Sequence, residues 1–350
     1  MTSTETHAPR RQIMPKWLKR VLGTAATISV TLLGLLFVTF MIGRVMPIDP
    51  VLAVVGERAS QAQYDAVYQE LGLDKPLLVQ FGIYITDVLQ GDFGRSIRTG
   101  MPVSDDIARV FPATLELATL GTLLGVFLGV PLGVIAAVKR GSWIDQTARL
   151  VGLVGYSMPI FWLGLMGLLV FYGILGWVAG PGRVDIFYDG IVEPITGMLL
   201  LDSALRGEWD VFRNAFSHIV LPACLLGYFS LAYISRMTRS FMLEQLSSEY
   251  ITTARVKGLS EWHVIWRHAF RNIRIQLITV IALSYANLLE GSVLTEIIFA
   301  WPGIGSYITV SLLANDMNAV LGGTVVIGVI FVGLNLFSDL LYRFFDPRSK

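Results

Sequence analysis

Residues 249–272 read EYITTARVKGLSEWHVIWRHAFRN, a polar and basic island between two long apolar segments. Residues 246–256 have helical character, and Gly258 breaks them, because glycine tolerates the backbone angles of a sharp reversal. Ser260 and Glu261 then suit the start of a second helix, a capping hydroxyl followed by an acid in the positive first turn. On that helix Trp262, Ile265, Trp266 and Ala269 share one face, while Arg267, Arg271 and Arg274 supply positive charge. Large aromatics beside arginines compose the anchors of protein interfaces. The same residues also fit a solvated basic loop that only sets membrane topology.

The flanking chain decides the class. Of its 350 residues 54% are hydrophobic and 15% charged, against roughly a quarter charged in soluble domains. That balance predicts an all-α polytopic membrane protein. A net charge of +1 without a long basic run gives no reason to expect nucleic acid. The lone Cys224 rules out an internal disulfide and is expected to be an inert packing residue. A phosphate loop, a zinc-type His-Glu-x-x-His and a Gly-x-Ser-x-Gly turn are all missing from the sequence. His263 and His268 have no third ligand nearby, so no metal, cofactor or catalytic residue is expected on this chain.

Six apolar runs read as spans: residues 21–42, 113–138, 148–177, 216–234, 275–298 and 320–341. The first is long for a signal-peptide core and lacks a clear cleavage site, so it is expected to stay as a signal anchor. Its apolar residues favour insertion by about 0.3–0.6 kcal/mol each near the centre. Between the first two spans, residues 61–71 predict a short surface helix ending at Gly72, and Pro76 suits the first turn of another. Leu77, Leu78, Phe81, Tyr84, Ile85, Val88 and Leu89 recur at helical spacing up to a stop at Gly91, and that face is expected to pack against other spans. Arg and Lys concentrate at residues 139–149, 236–274 and the chain ends, whereas residues 185–210 carry more acid than base. The positive-inside rule therefore places both termini and the organising loop in the cytoplasm.

The loop at 249–272 resembles the cytoplasmic EAA loop of permease subunits in ATP-binding-cassette importers, in the peptide-permease version. Ala254, Arg255, Lys257, Gly258, His268 and Asn272 fall on that pattern, with Thr252 and Thr253 where the general motif has Glu-Ala. The stretches Pro47-Ile48-Asp49-Pro50, Gly72-Leu73-Asp74-Lys75-Pro76, Gly91-Asp92-Phe93-Gly94-Arg95-Ser96 and Pro102-Val103 are similar to the same branch. So are Gly291, Glu296, Phe299, Trp301-Pro302-Gly303, Gly305 and the ending Asp346-Pro347-Arg348. Read locally, Trp301-Pro302-Gly303 is a tight turn with an interfacial tryptophan.

The resemblance implies the type I importer permease fold, with a cytoplasmic tail at 1–20, a first transmembrane helix at 21–45 and an extracytoplasmic helical segment at 46–112. The core permease domain would occupy 113–345, with a coupling loop at 236–274. It also implies a bacterial inner-membrane subunit of a peptide importer. Partners would be a second homologous permease, two cytoplasmic ATPase subunits holding the ATP and Mg, an extracytoplasmic binding protein and membrane lipid. Ala254, Arg255, Lys257, Gly258, Ser260, Trp262, Trp266, His268 and Arg271 would form the ATPase-coupling surface. Three acids inside or beside spans are costly at mid-membrane, about 2.5–3.5 kcal/mol each. Glu116 fits a helix start, Glu296 the outer interface or the substrate path, and Glu290 either the substrate path or a structural hydrogen bond. A proton-coupled secondary transporter using Glu290 or Glu116 stays open at this point.

Overall fold

The computed structural model describes residues 16–45, 50–56, 58–70 and 72–345. Pro47-Ile48-Asp49, Asp346-Pro347-Arg348 and residues 1–15 lie outside the described residues. Among the described residues every regular element is helical, apart from one isolated bridge between Arg95 and Pro102. The chain runs through α1 (Lys16–Val45), α2 (Pro50–Val55), α3 (Gln61–Glu70), α4 (Leu77–Leu89), α5 (Val103–Val138), α6 (Trp143–Ser157) and α7 (Ile160–Gly167). It continues through α8 (Leu199–Arg206), α9 (Trp209–Leu246), α10 (Glu249–Val256), α11 (Phe270–Gly291), α12 (Val293–Ile298), α13 (Ile304–Leu313) and α14 (Met317–Phe345). Five helices are long and apolar enough to cross a membrane, and the bent pair of α6 with α7 and the π-helical turn after it brings the number to six.

The centre of the bundle is the pairing of α5 with α9. Gly121, Gly125, Gly129 and Gly133 recur every fourth residue on α5, so they form one stripe. A Cβ at Gly121 would lie 2.9 Å from the Leu226 Cβ, and one at Gly133 would lie 2.6 Å from the Ser235 carbonyl oxygen. Without side chains the backbones approach closely, the usual way helices associate where lipid is as apolar as leucine. Leu117, Ile219, Leu226, Leu288 and Trp301 close the core above this seam.

Several expected span boundaries change, and the run at 216–234 is only the middle of the longer α9, Trp209–Leu246. The run at 148–177 is broken: Pro159 forces Met158 out of the helical region (φ −92°, ψ 132°), and the axes on either side differ by 99°. The run at 275–298 ends early, where the Gly291–Ser292 pair separates α11 from α12. The second span starts at Val103 rather than residue 113 and carries Pro112 and Pro131 inside it. The boundary expected between segment 46–112 and the core therefore falls within α5.

The early helices follow the expected pattern closely. Gly72 and Gly91 have φ of +64° and +78°, and Pro76 flanks α4 as its N-cap. Phe81 of α4 packs on Phe37 and Phe40 of α1 at 5.7 and 5.3 Å between ring centres, and Tyr84 hydrogen-bonds Thr39 at 3.0 Å. Part of the expected α4 face thus packs on α1 through Phe81 and Tyr84, while Leu77, Leu78 and Leu89 of that face are exposed. Cys224, by contrast, is exposed on α9, so the packing role expected of it is corrected.

Candidate functional site

Two constructions stand out at opposite ends of the core, a hairpin around Gly258 and a polar knot around Glu296. In the hairpin, α10 ends at Val256 and the chain reverses at Gly258, whose φ of +78° belongs to the left-handed region glycine favours. A π-helical stretch, His263–Ala269, then runs into α11. Arg255 donates from Nε and Nη2 to the two Glu261 carboxylate oxygens at 2.8 and 3.2 Å, clamping the arms together. Asn272 Nδ2 donates to the Tyr250 hydroxyl at 2.9 Å, which donates to Gln245 Oε1 at 2.8 Å.

The underside of this hairpin is a core of its own. Ile251, Ala254, Val264, Ala269 and Ile273 are buried together with Val134 and Ala137 of α5 and Met242 of α9. Movement of the hairpin is therefore coupled to the two central helices by close packing. The tip carries Val256, Leu259 and Trp262, all exposed, with Trp262 at 68%. Lys257, Arg267, Arg271 and Arg274 are exposed around them, and His268 is half-buried.

Several expectations change here. Ala254 is buried in the hairpin's own core and offers no outer surface. Ser260 does not cap the helix with its side chain; its hydroxyl pairs with His263 Nδ1 at 2.9 Å while its carbonyl accepts from Val264. The expected common face of Trp262, Ile265, Trp266 and Ala269 splits, since Ala269 is fully buried and Trp262 projects. The reason is the π-type turn, whose i→i+5 bonding rotates residues relative to a 3.6-residue period. Trp262, Trp266 and Phe270 form a ladder instead, with ring centres 5.5 and 5.1 Å apart.

At the other end, Glu296 is fully buried. Its carboxylate accepts from Thr114 Oγ1 at 2.7 Å, Ser292 Oγ at 3.0 Å and the Ser306 amide at 2.9 Å. Thr114 Oγ1 in turn accepts from the Ile304 amide at 2.9 Å. Gly303 fits against this carboxylate and Thr114 because any Cβ would collide with both. Trp301 is 1% exposed and its Nε1 donates to the Ala113 carbonyl at 2.9 Å. The tryptophan expected at an interface is thus a core residue, and Glu296 reaches neither the outer interface nor an open path. Pro302 is exposed at the turn.

Glu116 lies in the fourth turn of α5, not at a helix start. Arg183, from the connection before α8, donates to Glu116 Oε2 at 2.6 Å and to the Gly197 carbonyl at 2.8 Å, and its guanidinium lies over the Trp301 ring. Asp316 receives Ser96 Oγ at 2.5 Å and the Arg98 amide at 3.2 Å, tying residues 91–100 to the start of α14. Asp202 accepts from Thr196 and from the amides of Ile195 and Gly197. Burial would raise its pKa, but these hydrogen bonds outweigh it and hold the carboxyl below its usual value. Glu290 is exposed near the end of α11, beside a recess of about 10 Å³ that has room for little more than one water.

Sequence reading missed Thr114 and Arg183, which join the acids across 182 and 67 positions, and also Ser292 and Ser306, which lie only 4 and 10 positions from Glu296. It also missed Asp145, which receives Arg239 Nε and Nη2 at 2.6 and 2.9 Å and the Gly141 amide at 2.9 Å. One local signal was available there: Ser142, three residues before Asp145, accepts from the Asp145 amide as the cap of α6.

Fold and site together define a multi-pass helical membrane protein with a basic, aromatic hairpin seated on its two central helices. Comparison with known proteins identifies the family. The description "Binding-protein-dependent transport system inner membrane component" matches residues 129–350, and that of the N-terminal membrane component of such systems matches residues 14–118. The chain belongs to this family of inner-membrane permease components. It is 45% identical over 315 residues to the probable D,D-dipeptide transport system permease protein DdpB of Escherichia coli K12, covering 90% of this chain and 92% of that one. It is 41% identical over 319 residues to the dipeptide transport system permease protein DppB of Alkalihalophilus pseudofirmus, covering 91% and 95%. Among solved structures, the inward-facing MetNI methionine ABC transporter aligns with a TM-score of 0.47 at 20% identity, over 66% of this chain and 92% of that one.

Proposed function

We propose that this chain is one of two homologous permease subunits in an ATP-driven importer of di- and oligopeptides. ATP and Mg bind to two separate cytoplasmic ATPase subunits, and an extracytoplasmic binding protein delivers the cargo. Both termini and the hairpin face the cytoplasm, where arginine and lysine concentrate. The dipeptide named for the relatives supports the cargo class.

The observation that carries the coupling role is the hairpin's two-sidedness: a fully buried underside shared with α5 and α9, and an exposed tip of Val256, Leu259 and Trp262 among basic residues. An ATPase gripping the tip moves the two central helices, because a packed core transmits a rigid shift rather than absorbing it. Closure of the ATPase pair on ATP carries the hairpin inward and turns the path between the permeases outward, and hydrolysis resets it. Arg255, Lys257, Ser260, Trp266, His268 and Arg271 complete the coupling surface, with Gly258 setting the reversal. Glu290, exposed on α11, is proposed for the peptide path, whereas the buried Glu296 with Trp301, Pro302 and Gly303 holds the outer end together.

The test is Gly258→Pro in the reconstituted importer. Proline cannot adopt φ +78°, so ATP-dependent dipeptide uptake is expected to fall while the subunit still inserts. Normal uptake with normal ATPase association removes the coupling role. A proton-coupled carrier using Glu290 or Glu116 would transport in liposomes without ATPases, and here Glu116 is ion-paired to Arg183.

A further inference from the structure

A cavity of about 300 Å³ opens between α1, α4, the loop after α4 and the start of α14. Phe40, Ile83, Phe93 and Leu321 give it apolar walls, while Arg44, Gln80, Asp87 and Asp92 bring polar groups to it. Phe93 packs in the cluster around Val103 at the start of α5, whereas the hairpin core meets α5 at Val134 and Ala137. The cavity therefore lies at the end of the bundle opposite the hairpin. The apolar span of α1 ends at Arg44 and that of α14 begins at Met317, and both residues line the cavity. It thus sits where two spans leave the hydrocarbon, at the level of the lipid headgroups. Exposed Phe37, Val38 and Ile42 lead away from it along α1.

Gln80 gives this cavity its character. It is 9% exposed, and its Nε2 donates to the carbonyls of Leu73 at 3.2 Å and Lys75 at 2.8 Å. Two carbonyl acceptors fix which end of the amide is nitrogen. The other atom, Oε1, is buried without a hydrogen-bond partner, a costly state for an acceptor. It calls for a donor arriving through the cavity. Asp87 and Asp92 add two carboxylates, of which Asp92 Oδ1 accepts from the Gly94 amide at 2.9 Å. Partial burial, and then the charge of Asp92, raise the Asp87 carboxyl above its ordinary pKa, and an ammonium set between the two acids would relieve that repulsion. The Arg44 guanidinium lies over the Phe40 ring, 5.2 Å from its centre. Among the described residues it forms no ion pair, with these acids or others. The cavity therefore offers an acceptor and two acids to a cation, and a guanidinium to an anion.

We propose that this cavity binds the zwitterionic headgroup of phosphatidylethanolamine, its primary ammonium donating to Gln80 Oε1 and pairing with Asp87 and Asp92, its phosphate meeting Arg44. A primary ammonium carries three hydrogens for these three acceptors, and a guanidinium matches phosphate oxygens. Sites for small ligands begin at about 300 Å³, so the volume admits a headgroup and leaves the acyl chains in the bilayer along the exposed face of α1. Such a lipid would brace α1 and α4 against α14.

The test uses the full chain, purified in mild detergent with the subunits that accompany it. Bound lipid is read by native mass spectrometry after titration with phosphatidylethanolamine, phosphatidylcholine or phosphatidylglycerol. The wild type should retain phosphatidylethanolamine about tenfold better than phosphatidylcholine, whose methylated nitrogen has no hydrogen to give Gln80. It should also prefer it to phosphatidylglycerol, which has no cation for the two acids. Asp87→Asn should erase most of the preference over phosphatidylglycerol, and Arg44→Gln should lower retention of both lipids alike. Asp87 is exposed and its side chain makes no hydrogen bond among the described residues, so the fold tolerates asparagine there. Equal retention of phosphatidylethanolamine and phosphatidylcholine by the wild type overturns the proposal, and so does unchanged retention in both folded variants. Displacement of the lipid by millimolar dialanine overturns the lipid assignment and gives the ammonium site to a soluble peptide. Should either variant fail to fold, the wild-type comparison of the ethanolamine and choline lipids decides alone.

Discussion

Trp262→Ala separates the hairpin's two surfaces. Trp262 is 68% exposed, and its ring meets Trp266 at 5.5 Å between centres. Truncation therefore removes one aromatic pair, about 0.5–1.5 kcal/mol, and the chain stays folded. Seated in a groove of an ATPase, the same side chain is an anchor worth about 2 kcal/mol or more. That corresponds to roughly thirtyfold weaker association. Ile273→Ala is the control: it lies fully buried beneath the same hairpin, and removing it costs about 2–5 kcal/mol of folding stability. The expected result is a split. Trp262→Ala should lower ATPase affinity and ATP-coupled uptake while leaving thermal unfolding of the permease nearly unchanged, whereas Ile273→Ala should lower the unfolding temperature. Affinity is measured by titrating labelled ATPase against the permease in nanodiscs, and uptake in proteoliposomes. If Trp262→Ala binds the ATPase within twofold of the wild type, the tip is not the grip, and the coupling argument fails.

Other expectations follow from the end of the bundle opposite the hairpin. Arg183→Met strands Glu116, which is 5% exposed, and should destabilise the chain by about 3–5 kcal/mol. Glu116→Met with Arg183→Met together should recover most of that loss in denaturant unfolding, and a double variant as unstable as the single would contradict the pairing. Glu290→Gln should alter uptake kinetics more than complex assembly, and unchanged kinetics would make Glu290 a structural residue. Asp202 has a folded pKa below its unfolded value of about 3.9. Its stabilisation is thus fully present above that unfolded value and lost as the pH falls through the depressed folded one. Hydrogen exchange of the Thr196 and Gly197 amides should therefore differ between wild type and Asp202→Asn at neutral pH, and the two should converge on strong acidification. A difference that persists unchanged would show that the carboxylate charge plays no part.

Much of the architecture could be read from local pattern. Apolar run length located each of the six spans, though α9 (Trp209–Leu246) extends well beyond the expected run 216–234 at both ends, and Gly72, Gly91 and Gly258 marked true reversals with positive φ. Proline rules were available but under-used: Pro159 inside an apolar run forecast the 99° bend that the run length concealed. The acids were harder to place. Glu116, Glu290 and Glu296 looked alike as isolated charges, and nothing near Glu116 in sequence shows that it meets Arg183, 67 positions away, or that Glu296 meets Thr114, 182 positions away.

The sequence by itself determined the class, the number of spans and the hairpin, because insertion energy, helix length and glycine conformation depend on residues within one or two turns of each other. Only the tertiary structure decided which side chains serve the outside world and which serve the fold. Trp301 and Ala254 turned inward, Trp262 outward, and Asp145 found Arg239 across 94 positions. Burial and charge pairing are set by whichever helix arrives opposite, and in this bundle that is governed by the glycine stripe that lets α5 lie against α9.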